Sequence, residues 1–195
     1  MLRYNQKHIL NFLIHLLHPL HNLDESFLRA SQKFWDEIIK IGSAQFVLPA
    51  IYGSIKRKKL NPLIPKDLMS YLGEIYNLNK NRNEAIIKQI NYLTKILKNN
   101  NIKHVFLKGS AMLILKPYDS LGERMIGDID ILIKKEDLRK AQNILSLKGF
   151  SSIKKKDLEF IDGIKEAPKK HLNRMFSSDF IAAVELHSEL LDFDK

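Results

Sequence analysis

The stretch HVFLKGSAMLILKPYDSLGERMIGDIDILI, His104 to Ile133, decides the fold. It holds two apolar runs of strand character, His104 to Leu107 and Ile129 to Ile133, each touching a polar cluster. The first run ends in Lys108-Gly109-Ser110, and the second is entered through Asp128 with Asp130 two residues on. Side chains alternate across a strand, so Asp128 and Asp130 share one face. Two carboxylates roughly 7 Å apart at their Cα atoms repel each other unless a positive group sits between them. A hard divalent cation such as magnesium suits that place, taking a few carboxylates and leaving its other positions to water and phosphate oxygens. A glycine-serine turn entering a helix adds backbone N–H groups that can hold phosphate. The stretch therefore implies a site for a metal-bound nucleoside triphosphate.

Outward from this stretch, the downstream sequence alternates strand and helix. Lys134 to Lys148 reads as a helix stopped by Gly149, and Phe150 to Ile153 as a strand. Asp157 to Pro168 is mixed, and Lys169 to Met175 reads as a short helix or loop. Phe180 to Leu186 alternates as a strand, with Ile181, Ala183 and Glu185 on one face. Placed beside the Asp128 strand, it makes Glu185 a third carboxylate, and His187, two residues on, shares that face. His187 there can bind phosphate or move a proton. Lys108 and Arg124 can neutralise phosphate charge, the arginine through its planar fork and the lysine as a mobile point charge.

Upstream, the hydrophobic period is helical. Residues 4 to 18 carry Ile9, Leu10, Leu13, Leu16 and Leu17 on one side, and Pro19 closes the segment. A second helix is expected from Asp24 or Ser26 as cap, through Phe27, Phe34, Trp35, Ile38 and Ile39, to Gly42, with Trp35 in the core. Val47 to Ile55 reads as a third, followed by the basic run Lys56-Arg57-Lys58-Lys59, which reads as a solvated face. From Pro65, the positions Leu68, Leu72, Ile75, Arg82, Ile86, Ile90, Leu93 and Leu97 describe one long helix with a stop at Asn99-Asn100-Asn101. His8, His15, His18 and His21 lack an accompanying carboxylate and do not form a metal-ligand series. A soft boundary near residue 101 separates a helical region, 1–101, from a core, 102–195.

Composition narrows the classes further. The chain has 195 residues, 45% of them hydrophobic, enough for a buried core. Its 32 Lys+Arg against 22 Asp+Glu give a formal charge of +10, which favours anionic partners, although the lysines are spread along the chain. With no cysteine, disulfides, zinc-thiolate sites and thiol catalysis are excluded. No apolar run reaches the roughly 20 residues of a membrane span, and a cytoplasmic location is expected.

Gly109-Ser110 has neither the further glycines of a dinucleotide-binding turn nor the lysine and second glycine of a P-loop. Instead Leu107-Lys108-Gly109-Ser110, Tyr118, Arg124, Asp128-Ile129-Asp130-Ile131-Leu132 and Glu185-Leu186-His187 resemble the uncharacterised nucleotidyltransferase family of the polymerase-beta-like superfamily. Two further features belong to the resemblance: a leucine- and proline-marked turn, Val47 to Pro65, and the pair Arg82-Asn83. It implies an α+β fold, a small mixed sheet with flanking helices, preceded by the N-terminal helical region and cut short at Lys195. It further implies that Gly109 and Ser110 contact the triphosphate, that Asp128, Asp130 and Glu185 hold the metal, and that Lys108, Arg124 and His187 line the same site. The implied cofactor is magnesium or manganese. The implied reaction moves a nucleoside monophosphate from a triphosphate, ATP first among them, to a hydroxyl on RNA, protein or a small molecule, with release of pyrophosphate. Two other classes fit parts of the pattern: a non-catalytic or antitoxin-like binding module, and a glycosyltransferase whose Asp-x-Asp is Asp128-Ile129-Asp130.

Overall fold

The computed structural model describes residues 6–21, 31–152 and 172–190. The expected helix cap at Asp24 or Ser26, Phe27, Ile153, the segment Asp157 to Pro168 and the residues 169–171 lie outside them. The described residues form an α+β fold: a helical N-terminal region and a small mixed five-stranded sheet. They divide into two units, the described residues within 1–83 with 118–125, and those within 84–117 with 126–195.

The first unit is built from α1 (Gln6–Leu17), α2 (Gln32–Ala44), α3 (Leu48–Arg57), a 3-10 turn (Asn61–Leu63) and the first half of α4 (Lys66–Asn99). Its core joins Ile9, Phe12, Leu13 and Leu16 to Phe34, Trp35 and Ile38 and to Leu48, Ile51 and Ile55. Trp35 is buried, and the Phe12 ring meets Phe34 and Trp35 edge-on at 5.2 and 6.1 Å, the arrangement that ring quadrupoles favour. The basic run 56–59, which straddles the end of α3, is not simply solvated. Arg57 Nη1 reaches Glu123 Oε1 at 2.5 Å and Asp119 Oδ2 at 3.3 Å. Lys58 donates to the carbonyls of His15 and His18 at 3.1 and 2.8 Å and to that of His21, satisfying acceptors at the end of α1. Loop 118–125 is held in this unit by Asn79, which donates to the carbonyls of Gly122 and Arg124, and by Asn83, which donates to those of Leu121 and Arg124.

The helix Leu138–Leu147 stops at the expected Gly149, with φ +85 and the Phe150 N–H reaching back to the Leu145 carbonyl, whereas α2 and α3 stop without help from sequence punctuation. At the ends of α2, α3 and α4, a residue with left-handed backbone is followed by an N–H that reaches back five residues: Val47 to Gly42, Leu60 to Ile55 and Ile102 to Leu97. The left-handed residues are Phe46, Lys59 and Asn101, of which only asparagine advertises the role. Gly42, expected as the stop of α2, lies inside that helix. An added Cβ there would come within 2.9 Å of both Leu48 and Ile51, so the glycine serves close packing of α3.

The second unit comprises the rest of α4, β1 (His104–Phe106), α5 (Lys108–Leu115), β2 (Asp128–Ile133), a 3-10 turn (Lys135–Asp137), α6 (Leu138–Leu147), β3 (Ser151–Ser152), β4 (Met175–Phe176) and β5 (Ala183–His187). The strand order is β1-β2-β5-β4-β3, with β2 and β5 parallel and the other pairs antiparallel. The helix expected over 134–148 is thus a 3-10 turn followed by α6, and Met175, the last residue of the segment expected as a helix or loop, opens β4. On one sheet face Ile129, Ile131, Ile133, Val184, Leu186 and Met175 are all 1% exposed or less. Burying each such side chain stabilises the unit by about 1.5–3 kcal/mol, and one slipped residue would put the whole set into water.

Gln89 ties α4 to the entry of β5. Its Nε2 donates to the Ala182 carbonyl at 2.8 Å, and its Oε1 accepts the Ala182 N–H at 3.1 Å, imitating a strand partner for one residue. Gln89 is fully buried. Gln89→Leu, of similar volume, leaves both Ala182 groups without this partner and is expected to cost about 2–3 kcal/mol. Chemical denaturation measures this, and a cost under about 0.5 kcal/mol would show that the contact does not hold β5.

Candidate active site

The second sheet face is polar. In β2, Asp128 and Asp130 point to it because their neighbours Ile129 and Ile131 occupy the buried face. In β5, Glu185 and His187 point the same way, because Val184 and Leu186 are the buried alternates. The parallel register places Asp128 opposite Ala183 and Asp130 opposite Glu185. Two carboxylates on neighbouring strands, about 5 Å apart, repel by about 3 kcal/mol at an effective dielectric of 20. Both are nearly withdrawn from water, Asp130 at 2% exposure and Glu185 at 5%. Positive or proton-donating partners must therefore meet them.

They do. Lys108 Nζ lies 2.6 Å from Asp130 Oδ1, and His187 Nε2 lies 2.9 Å from the same oxygen. His187 Nε2 also stands 3.6 Å from Glu185 Oε2. Arg174, immediately before β4, spans two acids: its Nε is 2.5 Å from Glu185 Oε1 and its Nη2 is 2.9 Å from Asp128 Oδ2. The sequence reading missed Arg174. It sits in a segment with no hydrophobic period, and nothing in Asn173-Arg174-Met175 announces that β4 will deliver a guanidinium to the acids.

The expected phosphate turn is built at the junction of β1 and α5. Leu107 N–H donates to the Asp130 carbonyl at 2.9 Å, continuing the β1–β2 pairing by one residue. Lys108 then turns with φ +49, a conformation that costs a side-chain-bearing residue on the order of 1 kcal/mol and directs the chain into α5. Ser110 is buried, with its hydroxyl donating to the Leu107 carbonyl at 2.7 Å and lying 3.3 Å from that of Asp130. That hydroxyl fastens the turn to β2. The first-turn N–H groups of α5 lack helical acceptors by the geometry of any helix start, and they are the groups suited to an anion. Gly109 has no room for more, since an added Cβ would lie 2.4 Å from Ile126 Cγ2 and 3.0 Å from Ile126 Cβ. Lys108, Gly109, Ser110, Asp128, Asp130, Glu185 and His187 are thus all in the second unit, whereas Arg124 is in the first, its carbonyl accepting from Asn79 and Asn83.

Asp130, Glu185 and His187 each offer a ligand atom within 4.8 Å of the others, the one such group of three among the described residues. Two carboxylate oxygens and an imidazole nitrogen form a donor set that manganese can use whole, while magnesium would take the carboxylate oxygens and leave the imidazole aside. Asp128 joins this group through Arg174, its carboxylate being turned to the guanidinium.

Two consequences can be measured. Gly109→Ala is expected to cost about 1–3 kcal/mol, because β-branched Ile126 cannot swing aside as a flexible side chain would. Ile126→Ala in the same chain should recover part of that loss, and an additive double variant would contradict the clash. The second concerns Lys108, whose pKa is raised by its hydrogen bond to Asp130, with burial opposing. A raised folded pKa gives stability that is fully present below the unfolded value, about 10.4, and is lost as pH climbs through the folded one. In metal-free buffer, Lys108→Met should therefore be less stable than wild type by a constant margin from neutral pH to about 9, and the margin should shrink above about 10.4. A margin that vanished between pH 7 and 9 would show that the pair contributes nothing.

Comparison with known proteins adds a family to this geometry. The family model described as "Uncharacterised nucleotidyltransferase" matches residues 31–194. No curated protein and no solved structure matches the chain. The match takes in the glycine-serine turn, the β2 aspartates and the β5 Glu185-Leu186-His187 run together, and the chain belongs to the uncharacterised nucleotidyltransferase family.

Proposed function

We propose that this chain transfers a nucleoside monophosphate from a triphosphate, ATP first among them, to a hydroxyl acceptor in a polymerase-beta-like active site on β2 and β5. The observation that carries the reading is the buried convergence of Asp130, Glu185 and His187 beside the turn that starts α5. Asp128, Asp130 and Glu185 would hold magnesium or manganese, with His187 beside Asp130 and Glu185. Bound there, the metal would lower the pKa of the acceptor hydroxyl and stabilise charge on the departing pyrophosphate.

The chain's own groups supply the rest. The N–H groups of Gly109 and Ser110 would receive phosphate oxygens at the start of α5. Lys108 keeps most of its side chain in solvent, so its ammonium can turn from Asp130 to the triphosphate. Glu185 would take the proton of the acceptor hydroxyl as the new oxygen–phosphorus bond forms and the bond to pyrophosphate breaks. Asp130 and His187, 2.9 Å apart, would keep Glu185 in a fixed electrostatic setting. We assign the activity to the cytoplasm, where triphosphate and magnesium are both abundant.

The test is incubation with each labelled triphosphate, magnesium and cell extract, followed by separation of RNA, protein and small molecules. Transfer of label with pyrophosphate release is expected. Joint Asp128→Ala and Asp130→Ala should lower it by about a thousandfold or more. Unchanged transfer would remove the two aspartates from the mechanism. Hydrolysis of a sugar nucleotide would point to a glycosyltransferase, and failure to bind any nucleotide at millimolar concentration to a binding module.

A further inference from the structure

Arg174 occupies the acids in a way that structural support does not explain. Its guanidinium bridges Asp128 and Glu185, at 2.9 and 2.5 Å, while 58% of its side chain stays in solvent. A side chain so exposed contributes little packing, so it can swing away without opening the core. Glu185, by contrast, is nearly buried and cannot stand without a positive partner. The two acids that Arg174 joins are two of the three carboxylates proposed to hold the metal, so one guanidinium and one metal would claim the same oxygens. A partly exposed ion pair is weak beside divalent coordination by withdrawn carboxylates, so the exchange can run toward the metal.

Resting on the metal site proposed above, we infer that Arg174 is a resident counter-cation, which a divalent ion must displace from Asp128 and Glu185. Arg174 thereby sets the divalent concentration at which the site fills, and holds the two strands' acids together below it. Lysine at the same position keeps the charge but lacks the fork that meets two carboxylates at once. The competition should therefore weaken in steps from arginine to lysine to alanine.

The experiment is Mn2+ binding in the absence of nucleotide, read from the loss of the free-ion electron paramagnetic resonance signal, on wild type, Arg174→Lys, Arg174→Ala and Asp130→Asn. Arg174→Ala is expected to bind Mn2+ about tenfold more tightly than wild type, with Arg174→Lys between them. Its melting temperature, lower than that of wild type in chelator, should rise further than wild type's when Mn2+ is added. Binding by the Arg174 variants alone would also support the inference. Should wild type bind Mn2+ and lose it in Asp130→Asn, while folded Arg174→Ala binds equally or more weakly, the counter-cation role is wrong and the metal site stands. If no chain binds Mn2+, or Asp130→Asn binds as wild type does, the metal site itself is wrong and the role of Arg174 falls with it. Where Arg174→Ala does not fold, Arg174→Lys decides alone: tighter binding than wild type supports the role and equal or weaker binding overturns it.

Discussion

The parallel pairing of β2 with β5, in the register that sets Asp130 opposite Glu185, is the constraint on which the rest of the second unit depends. It brings together two carboxylates from residues far apart in sequence and withdraws both from water. The repulsion this creates, about 3 kcal/mol, is comparable to what one buried isoleucine contributes, and the reverse face supplies six buried apolar side chains. Apolar burial therefore fixes the register, and the acids follow. Because side chains alternate with period two, a one-residue slip would turn the isoleucines to the polar face and the acids to the apolar one.

The polar face is balanced by groups that come from three places. Lys108 comes from the turn after β1, Arg174 from the approach to β4, and His187 from β5 itself. Two of the three keep long, mostly exposed side chains. They meet the acids here, and under the proposed function they would move aside when a nucleotide brought a metal and phosphates of its own. A withdrawn carboxylate set with exposed counter-charges would suit the proposed metal-nucleotide site.

Much of this was legible in the sequence because it rests on period and alternation. Once 128–133 is read as a strand, Asp128 and Asp130 share a face, and Glu185 with His187 shares the alternating pattern of its own strand. The glycine-serine turn was legible for a different reason, since glycine and serine directly follow an apolar strand run; that Ile126 leaves no room for a Cβ at position 109 was not. Arg174 was not, because it is placed by a two-residue strand with no pattern to read. Nor were the helix stops at Phe46 and Lys59, where tertiary packing of the following residue overrides local preference. The basic run 56–59 misled for a related reason: a charge run read as solvated hides which members find buried carboxylates or helix-end carbonyls, as Arg57 and Lys58 do.

The central claim is that β2, β5 and the start of α5 together form one metal-nucleotide site. A crystal structure with a non-hydrolysable triphosphate and Mn2+, read by anomalous scattering, tests it most directly. The account predicts an anomalous peak bonded to Asp130 and Glu185, with phosphate oxygens at the N–H groups of Gly109 and Ser110. Manganese or triphosphate bound elsewhere, with Lys108 and Arg174 still seated on the acids, would contradict it.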